Sequence, residues 1–144
     1  MNVDSILRTK GDAVIVIAPS ATIAEAVALL RKRRIGAIVV STDGTTPCGM
    51  LSERDIVQGL GREGARLLDR RVDEVMTRAV VTCGPDDRVA DLMALMTERR
   101  IRHLPVMRDG RLAGLVSIGD VVKNRLDEIE WEANSLKTYI AGAA

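Results

Sequence analysis

Aromatic side chains are nearly absent from this chain, which has no phenylalanine and only one tryptophan and one tyrosine in 144 residues. Proteins that bind single-stranded nucleic acids stack the bases on aromatic rings. The formal net charge is only +1, from 21 Lys and Arg against 20 Asp and Glu, so no overall field attracts polyanions. Both deficits argue against nucleic-acid binding.

Cysteine and histidine are also scarce, since Cys48, Cys83 and His103 are the only ones. Three isolated residues cannot supply the clustered ligands of a structural zinc site, so no metal is expected. A single histidine without a nucleophile–base pair argues against an enzyme. We expect two free thiols, buried or half-buried, rather than a disulfide.

Long apolar runs are missing as well. The runs at 13–18 and 37–40 are far shorter than the roughly 20 residues that cross a bilayer. Residues 1–9 include Asp4 and Arg8 and lack the apolar core of a signal peptide. The sequence therefore predicts no membrane span and, by default, a cytoplasmic location.

What the chain does contain is an internal repeat, seen when it is aligned with itself at a shift of 66 residues. After the Asp43-Gly44 turn the shift falls to 65, as a one-residue deletion would produce. The aligned pairs include Pro19 with Pro85, Leu29 with Leu95, Gly49 with Gly114, Ser52 with Ser117 and Asp55 with Asp120. Residues 3–7 also resemble 72–76. We predict repeats at 1–60 and 72–144, joined by a polar connector at 61–71.

Each repeat is predicted to have the order β-α-β-β-α. Thr22 and Glu25 have the spacing of a capping box at the start of the first long helix. Periodicity and turn signals place the elements at 14–17, 22–34, 37–40, 48–51 and 53–60, then at 80–82, 89–100, 104–107, 112–116 and from 118 onward. The last helix is expected to continue, because Val122, Leu126, Ile129, Ala133, Leu136 and Ile140 keep helical spacing.

These elements predict an α+β fold in which two small sheets pack about a pseudo-twofold axis. Each half is too short to bury both faces of its own sheet, so the halves should pack together and leave two related clefts. A Ser and an Asp stand at a strand–helix junction in each repeat, as Ser52 with Asp55 and Ser117 with Asp120. A helix N-terminus suits phosphate, and a carboxylate can accept hydrogen bonds from a ribose diol. The alternative is that both pairs are only helix caps.

The chain resembles the cystathionine-β-synthase (CBS) domain family over nearly its whole length. The resemblance rests on the segment 101–106, which reads Ile-Arg-His-Leu-Pro-Val, then Asp109-Gly110, then the Gly-Leu-Val-Ser-Ile-Gly-Asp segment at 114–120. It implies a pair of repeats, called a Bateman module, whose clefts hold AMP, ADP, ATP, NAD or S-adenosylmethionine. It also implies association into disk-like homodimers.

The resemblance further implies two ligand sites. The favoured site, here called the Asp120 site, would comprise Ala18, Ile23, Ile35, Gly36, Arg102, His103, Ser117, Gly119 and Asp120. The second, the Asp55 site, would comprise Ser52, Arg54, Asp55, Gly84, Val89 and Ile101. Gly36 and Ala37 stand where the second repeat has Arg102 and His103, so the Asp55 site should bind less tightly or select another nucleotide. His103 could instead be an imidazole hydrogen-bonded at the start of a strand.

Two functions of different class follow from these observations. The first is a non-catalytic adenine-nucleotide sensor that signals to a separate, unknown partner through a conformational change. The second is a ligand-free oligomerisation or docking module that uses the apolar face of the last helix around Trp131 and Ile140.

Overall fold

Two small β-sheets, one in each repeat, organise the fold of the computed structural model, which describes residues 1–143. The helices and strands are α1 (Val3–Lys10), β1 (Val16–Ile17), α2 (Ile23–Arg33), β2 (Ala37–Val40), β3 (Gly49–Ser52), α3 (Glu53–Glu63), a 3-10 helix (Gly64–Asp69), α4 (Val72–Val75), α5 (Val89–Arg99), β4 (His103–Arg108), β5 (Arg111–Ser117) and α6 (Ile118–Ala143). The predicted α+β class and the extended C-terminal helix are confirmed.

The sheet of the first repeat has the order β1-β2-β3, with β1 parallel and β3 antiparallel to β2. All four β2 residues are buried, as expected for the central strand of a covered sheet. The hairpin register places Ala37 opposite Ser52, so the strand ends where α3 begins. The strand predicted at 14–17 is shorter than expected, at Val16–Ile17.

Over residues 1–143 the second sheet consists of β4 and β5, and the prediction of a strand at 80–82 is wrong. The chain turns at Arg78, whose carbonyl accepts the Val80 N–H, and only Cys83 pairs, with Val106 on β4. The Cys83 N–H donates to the Pro105 carbonyl at 3.0 Å, and the Cys83 carbonyl accepts from the Met107 N–H at 2.8 Å. In the second repeat, the Cys83–Val106 bridge therefore stands where the first repeat has the strand β1.

The predicted helices form with the predicted caps. Thr22 accepts from the Glu25 N–H while the Glu25 carboxylate accepts from the Thr22 N–H, so the capping box is present. The helix at 53–60 is longer than predicted, because it continues to Glu63 and then into the 3-10 helix. Residues 61–71 are therefore largely helical, and Leu67 among them is fully buried.

Each repeat completes its core with the short helix that precedes the other repeat. Val3 and Leu7 of α1 pack in the cluster formed by residues 83–121, whereas Val72 and Met76 pack in the cluster of the first repeat. The contacts are equivalent in the two halves: a Cβ on Gly114 would lie 2.6 Å from Leu7 Cδ2, and one on Gly49 would overlap Met76 Sδ. Only glycine lets Leu7 approach β5, and Met76 approach β3, so closely.

Helix α6 leaves the module after its first turns. Val121 is fully buried, but residues 129–142 are all exposed. At 1.5 Å per residue, its 26 residues span about 39 Å. Among the helices of residues 1–143, none combines the length and the apolarity that crossing a membrane requires.

Candidate functional site

The two Ser–Asp pairs form matching capping boxes at the starts of α3 and α6. Ser52 Oγ accepts from the Asp55 N–H at 3.3 Å, and Asp55 Oδ2 accepts from the Ser52 N–H at 3.0 Å. The equivalent distances for Ser117 and Asp120 are 3.2 and 2.9 Å. Both pairs therefore cap helices, and each carboxylate is fixed beside the N–H groups of a helix start.

Lys10 distinguishes the Asp120 carboxylate from its twin. Its Nζ lies 2.5 Å from Asp120 Oδ2 and donates to the Leu115 carbonyl at 2.8 Å. The Ser117 N–H also uses Oδ2, so Oδ1 has no partner among residues 1–143. Lys10 ends α1 and is 110 positions away in the chain, so the packing of α1 on the second repeat is what brings it here.

Partial burial works to raise the pKa of the Asp120 carboxyl, but hydrogen bonds from Lys10 and the Ser117 N–H outweigh it. The resulting pKa lies below the ordinary value of 3.8, so the group is an anion at neutral pH. A fixed carboxylate of this kind is an acceptor for hydroxyl and ammonium groups.

Within the part of the chain that the structure describes, no lysine pairs with the Asp55 carboxylate. Thr77 Oγ1 donates to Asp55 Oδ1 at 3.3 Å, and Ser52 Oγ donates to Oδ2 at 3.2 Å. Thr77 lies just after α4, the short helix that precedes the second repeat, and Lys10 is the last residue of α1, the short helix that precedes the first. The two clefts are thus alike in backbone and different in charge.

Gly36, Glu53 and His103 meet where the two repeats touch. A Cβ on Gly36 would lie 3.4 Å from His103 Cε1 and 3.8 Å from the Glu53 carboxyl carbon. The Gly36 carbonyl accepts from the Glu53 N–H at 3.0 Å, and His103 stands directly opposite Ser117 in the β4–β5 ladder. His103 therefore bridges Gly36 of the first repeat and the Ser117–Asp120 motif of the second.

His103 is half-buried, and this burial lowers the pKa of its imidazole below 6.5. The positive charges of Lys10 and Arg102 lower it further, while Asp120 and Glu53 act in the opposite direction. The ring is accordingly neutral at pH 7. The hydrogen bonds of residues 1–143 include none to this imidazole, so the structure does not show the hydrogen-bonded imidazole considered above as the alternative.

The remaining predicted residues differ in accessibility. Ile23 and Val89 are 0% and 1% exposed, and both belong to the cores rather than to an open surface. The exposed ones are Ala18, Arg54, Arg102 and Gly119, and the half-buried ones are Ile35, Gly36, Ser52, Asp55, Gly84, Ile101, Ser117 and Asp120. The structure brings together Gly36, His103, Ser117 and Asp120, with Lys10 added to the predicted set, and Arg102 joins them through its carbonyl, which accepts from the Ile118 N–H.

Two surface cavities lie elsewhere. One of about 740 Å³ is lined by α1, the loop after it and the β4–β5 hairpin. The other, about 310 Å³, lies between the end of α3, the 3-10 helix and α4. Neither is lined by a Ser–Asp motif, so neither corresponds to a predicted cleft.

The two cysteines are both free, but only one is buried as expected. Burial raises the pKa of the Cys83 thiol to about 12, whereas Cys48 is exposed after the turn between β2 and β3. Among residues 1–143, no group of three or more His, Cys, Asp and Glu side chains could hold a metal ion.

Comparisons with known proteins agree with the repeat. A family model described as the CBS domain matches residues 4–62 and 72–127. The mitochondrial CBS domain-containing protein CBSX3 of Arabidopsis thaliana is 35% identical over 125 residues, which are 84% of this chain and 61% of that protein. The chain thus spans less than two thirds of this relative's length.

Solved structures are similar over most of the chain. The crystal structure of a CBS-domain-containing protein from Agrobacterium tumefaciens is 42% identical, with a TM-score of 0.84, and the match covers 87% of this chain and 99% of that one. The CBS domain pair of protein MJ0100, solved in complex with 5′-methylthioadenosine and S-adenosyl-L-methionine, is 25% identical, with a TM-score of 0.76. That match covers 85% of this chain and 98% of the other.

Proposed function

The chain belongs to the CBS domain family, and from this premise we propose that it is a regulatory module that binds an adenosine-containing ligand at the Asp120 site. One observation carries the proposal: the anionic Asp120 carboxylate lies at a helix start and pairs with Lys10, and the backbone of Arg102 and His103 pairs with the adjoining residues Ile118 and Ser117. A ribose needs a fixed acceptor and a phosphate needs cations and N–H donors, and both kinds of group are present here.

In the proposed complex the ribose hydroxyls donate to Asp120, whose Oδ1 is unpartnered among residues 1–143. The basic side chains of Lys10 and Arg102, with the Ser117 hydroxyl and the Gly119 N–H, bind the phosphate of a nucleotide or the charged end of another adenosyl ligand. The base lies against Ala18, Ile35 and Gly36, with Ile23 in the core beneath. The complex of the MJ0100 domain pair with two adenosyl compounds supports this ligand class.

The Asp55 site is proposed to be the weaker of the two. Thr77 stands near Asp55 where Lys10 stands near Asp120, so this site lacks one cation. Gly36 and Ala37 occupy the positions equivalent to Arg102 and His103, which removes further basic groups. A nucleotide here depends on Arg54, which is exposed, or on Arg102 from the neighbouring repeat.

The signalling step is proposed to run through α1. This helix contributes Val3 and Leu7 to the core of the second repeat and ends at Lys10 in the Asp120 site. A ligand whose phosphate draws Lys10 away from Asp120 changes the contacts of Lys10, and therefore the preferred position of α1. Such coupling requires that the ligand bind two arrangements with different affinities. The regulated partner and the cytoplasmic location remain predictions.

The experiment is isothermal titration of nucleotide-stripped protein with 5′-methylthioadenosine, S-adenosylmethionine, AMP, ADP, ATP and NAD in turn. We expect micromolar binding of at least one, with every ligand recovered unchanged, since the proposal includes no turnover. A folded protein that binds none of them would refute the sensor function. That result would favour the docking alternative, for which the exposed apolar face of α6 is the observation.

A further inference from the structure

Helix α6 carries an apolar stripe that its own module does not cover. The stripe consists of Val122, Leu126, Ile129, Ala133, Leu136 and Ile140, all of them exposed. We propose that the stripe pairs with the same stripe of a second copy, so that two α6 helices form a parallel two-stranded coiled coil.

The spacing along the stripe is the first argument. Successive members are separated by four, three, four, three and four residues, which is the a/d pattern of a heptad repeat. Leu126, Ala133 and Ile140 take the a positions, and Val122, Ile129 and Leu136 take the d positions. Leu126, Leu136 and Ile140 are each 60% exposed or slightly more, so the apolar surface is there to be covered.

The charged residues beside the stripe favour a second copy of this chain as the partner and a parallel orientation of the two helices. In a parallel pair, position g of one helix faces position e of the next heptad in the other. Arg125 would then face Glu130 of the second copy, and Glu132 would face Lys137 of the second copy. Each pair is attractive and occurs twice by symmetry, so the surface is complementary to itself.

The antiparallel arrangement lacks this complementarity. Overlaying the full stripe on its reverse places Glu130 against Glu130 of the second copy and Lys123 against Lys137 of the second copy, and like charges so close repel. In the single chain Arg125 pairs with Glu128 at 3.2 Å, but both ends of this ion pair are solvent-accessible, so the guanidinium can turn to a second helix.

The module does not obstruct this pairing. Val121 marks the face of α6 that packs on the module, and at about 100° per residue the stripe is centred roughly a quarter turn away. The inference rests on α6 alone and does not depend on a ligand at Asp120.

The first test is sedimentation equilibrium of the full chain. The wild type is expected to be a dimer, and Leu136→Glu is expected to weaken dimerisation by more than about a hundredfold, because it buries a charge in the seam. Trp131→Glu is the matched control: Trp131 is 70% exposed at position f, facing away from the seam, so the dimer should persist. A monomeric wild type, or a Leu136→Glu protein that dimerises as tightly as the wild type, would overturn the proposal.

The second test fixes the orientation. Glu132→Lys and Lys137→Glu each create two repulsive pairs in a parallel homodimer, so each variant alone should dimerise about tenfold more weakly. Mixed together, the two variants restore both attractive pairs and should form a heterodimer with wild-type affinity. Mass spectrometry of differently tagged chains measures the mixture, and a statistical mixture of homodimers and heterodimers would exclude the parallel coiled coil.

Discussion

Alanine at Gly114 tests how α1 is held on the second repeat. A Cβ there would lie 2.6 and 3.1 Å from the two δ carbons of Leu7, well inside contact distance. Leu7 is only 6% exposed and packs within the core cluster, so its side chain cannot swing into solvent. Overpacking of this kind costs about 1–3 kcal/mol. At about 2–4 °C per kcal/mol for a chain of this size, the melting temperature should fall by about 2–12 °C.

A double-mutant cycle with Leu7→Ala separates this contact from a general loss of stability. Leu7→Ala alone leaves a cavity and should cost about 2–5 kcal/mol. In the double variant the new methyl group enters the space that Leu7 leaves. The loss of stability measured for the double variant should therefore be smaller than the sum of the two single losses by about 1 kcal/mol or more. Urea unfolding at constant m-value measures all three variants.

Gly61→Ala serves as the control for glycine replacement. A Cβ on Gly61 meets nothing within 4 Å, and the residue lies in α3, so the variant should be more stable by up to about 1 kcal/mol. If the stability losses of Gly114→Ala and Leu7→Ala sum to that of the double variant within about 0.5 kcal/mol, the contact of Leu7 in α1 with Gly114 of the second repeat is contradicted.

Three further predictions concern single groups. AMP binding at pH 7 should take up protons, because a phosphate raises the lowered pKa of His103; titrations in buffers of different ionisation enthalpy should show the uptake lost in His103→Asn, and equal uptake in both proteins would contradict it. Lys10→Met should raise the pKa of the Asp120 carboxyl, since Lys10 helps to lower it, and an unchanged NMR titration midpoint would exclude the ion pair. A thiol reagent should modify exposed Cys48 in the folded protein and buried Cys83 only after unfolding; two rapidly reacting thiols would refute this.

Local sequence signals were sufficient for most of the fold. Thr22 with Glu25 marks the start of α2, and the Ser–Asp pairs mark the starts of α3 and α6, because capping boxes involve residues only three apart. The self-alignment gave the two-repeat architecture, since equivalent core positions recur at one spacing. The apolar spacing after Val122 predicted the continuation of α6, which the structure confirms.

The sequence could not reveal the contacts that arise because each short helix packs on the repeat other than the one it precedes. Lys10 reaches Asp120 only because α1 packs on the second repeat, and no local pattern marks that pairing. A strand was predicted at 80–82 from its β-branched residues. The chain turns just before this segment, where the Val80 N–H donates to the Arg78 carbonyl, and the pairing with β4 is limited to Cys83. The burial of Ile23 and Val89, named as ligand contacts, also depends on tertiary packing.

The ribose-binding role of Asp120 is tested most directly by comparing Asp120→Asn with Asp55→Asn in isothermal titrations. Asparagine keeps one acceptor oxygen for the Ser117 N–H, so the helix cap survives, while the charge and the second acceptor oxygen are lost. For the tightest ligand of the panel, our account predicts a loss of at least about tenfold in affinity for Asp120→Asn and little change for Asp55→Asn. Wild-type affinity in a folded Asp120→Asn protein, or a larger loss in Asp55→Asn, would contradict it.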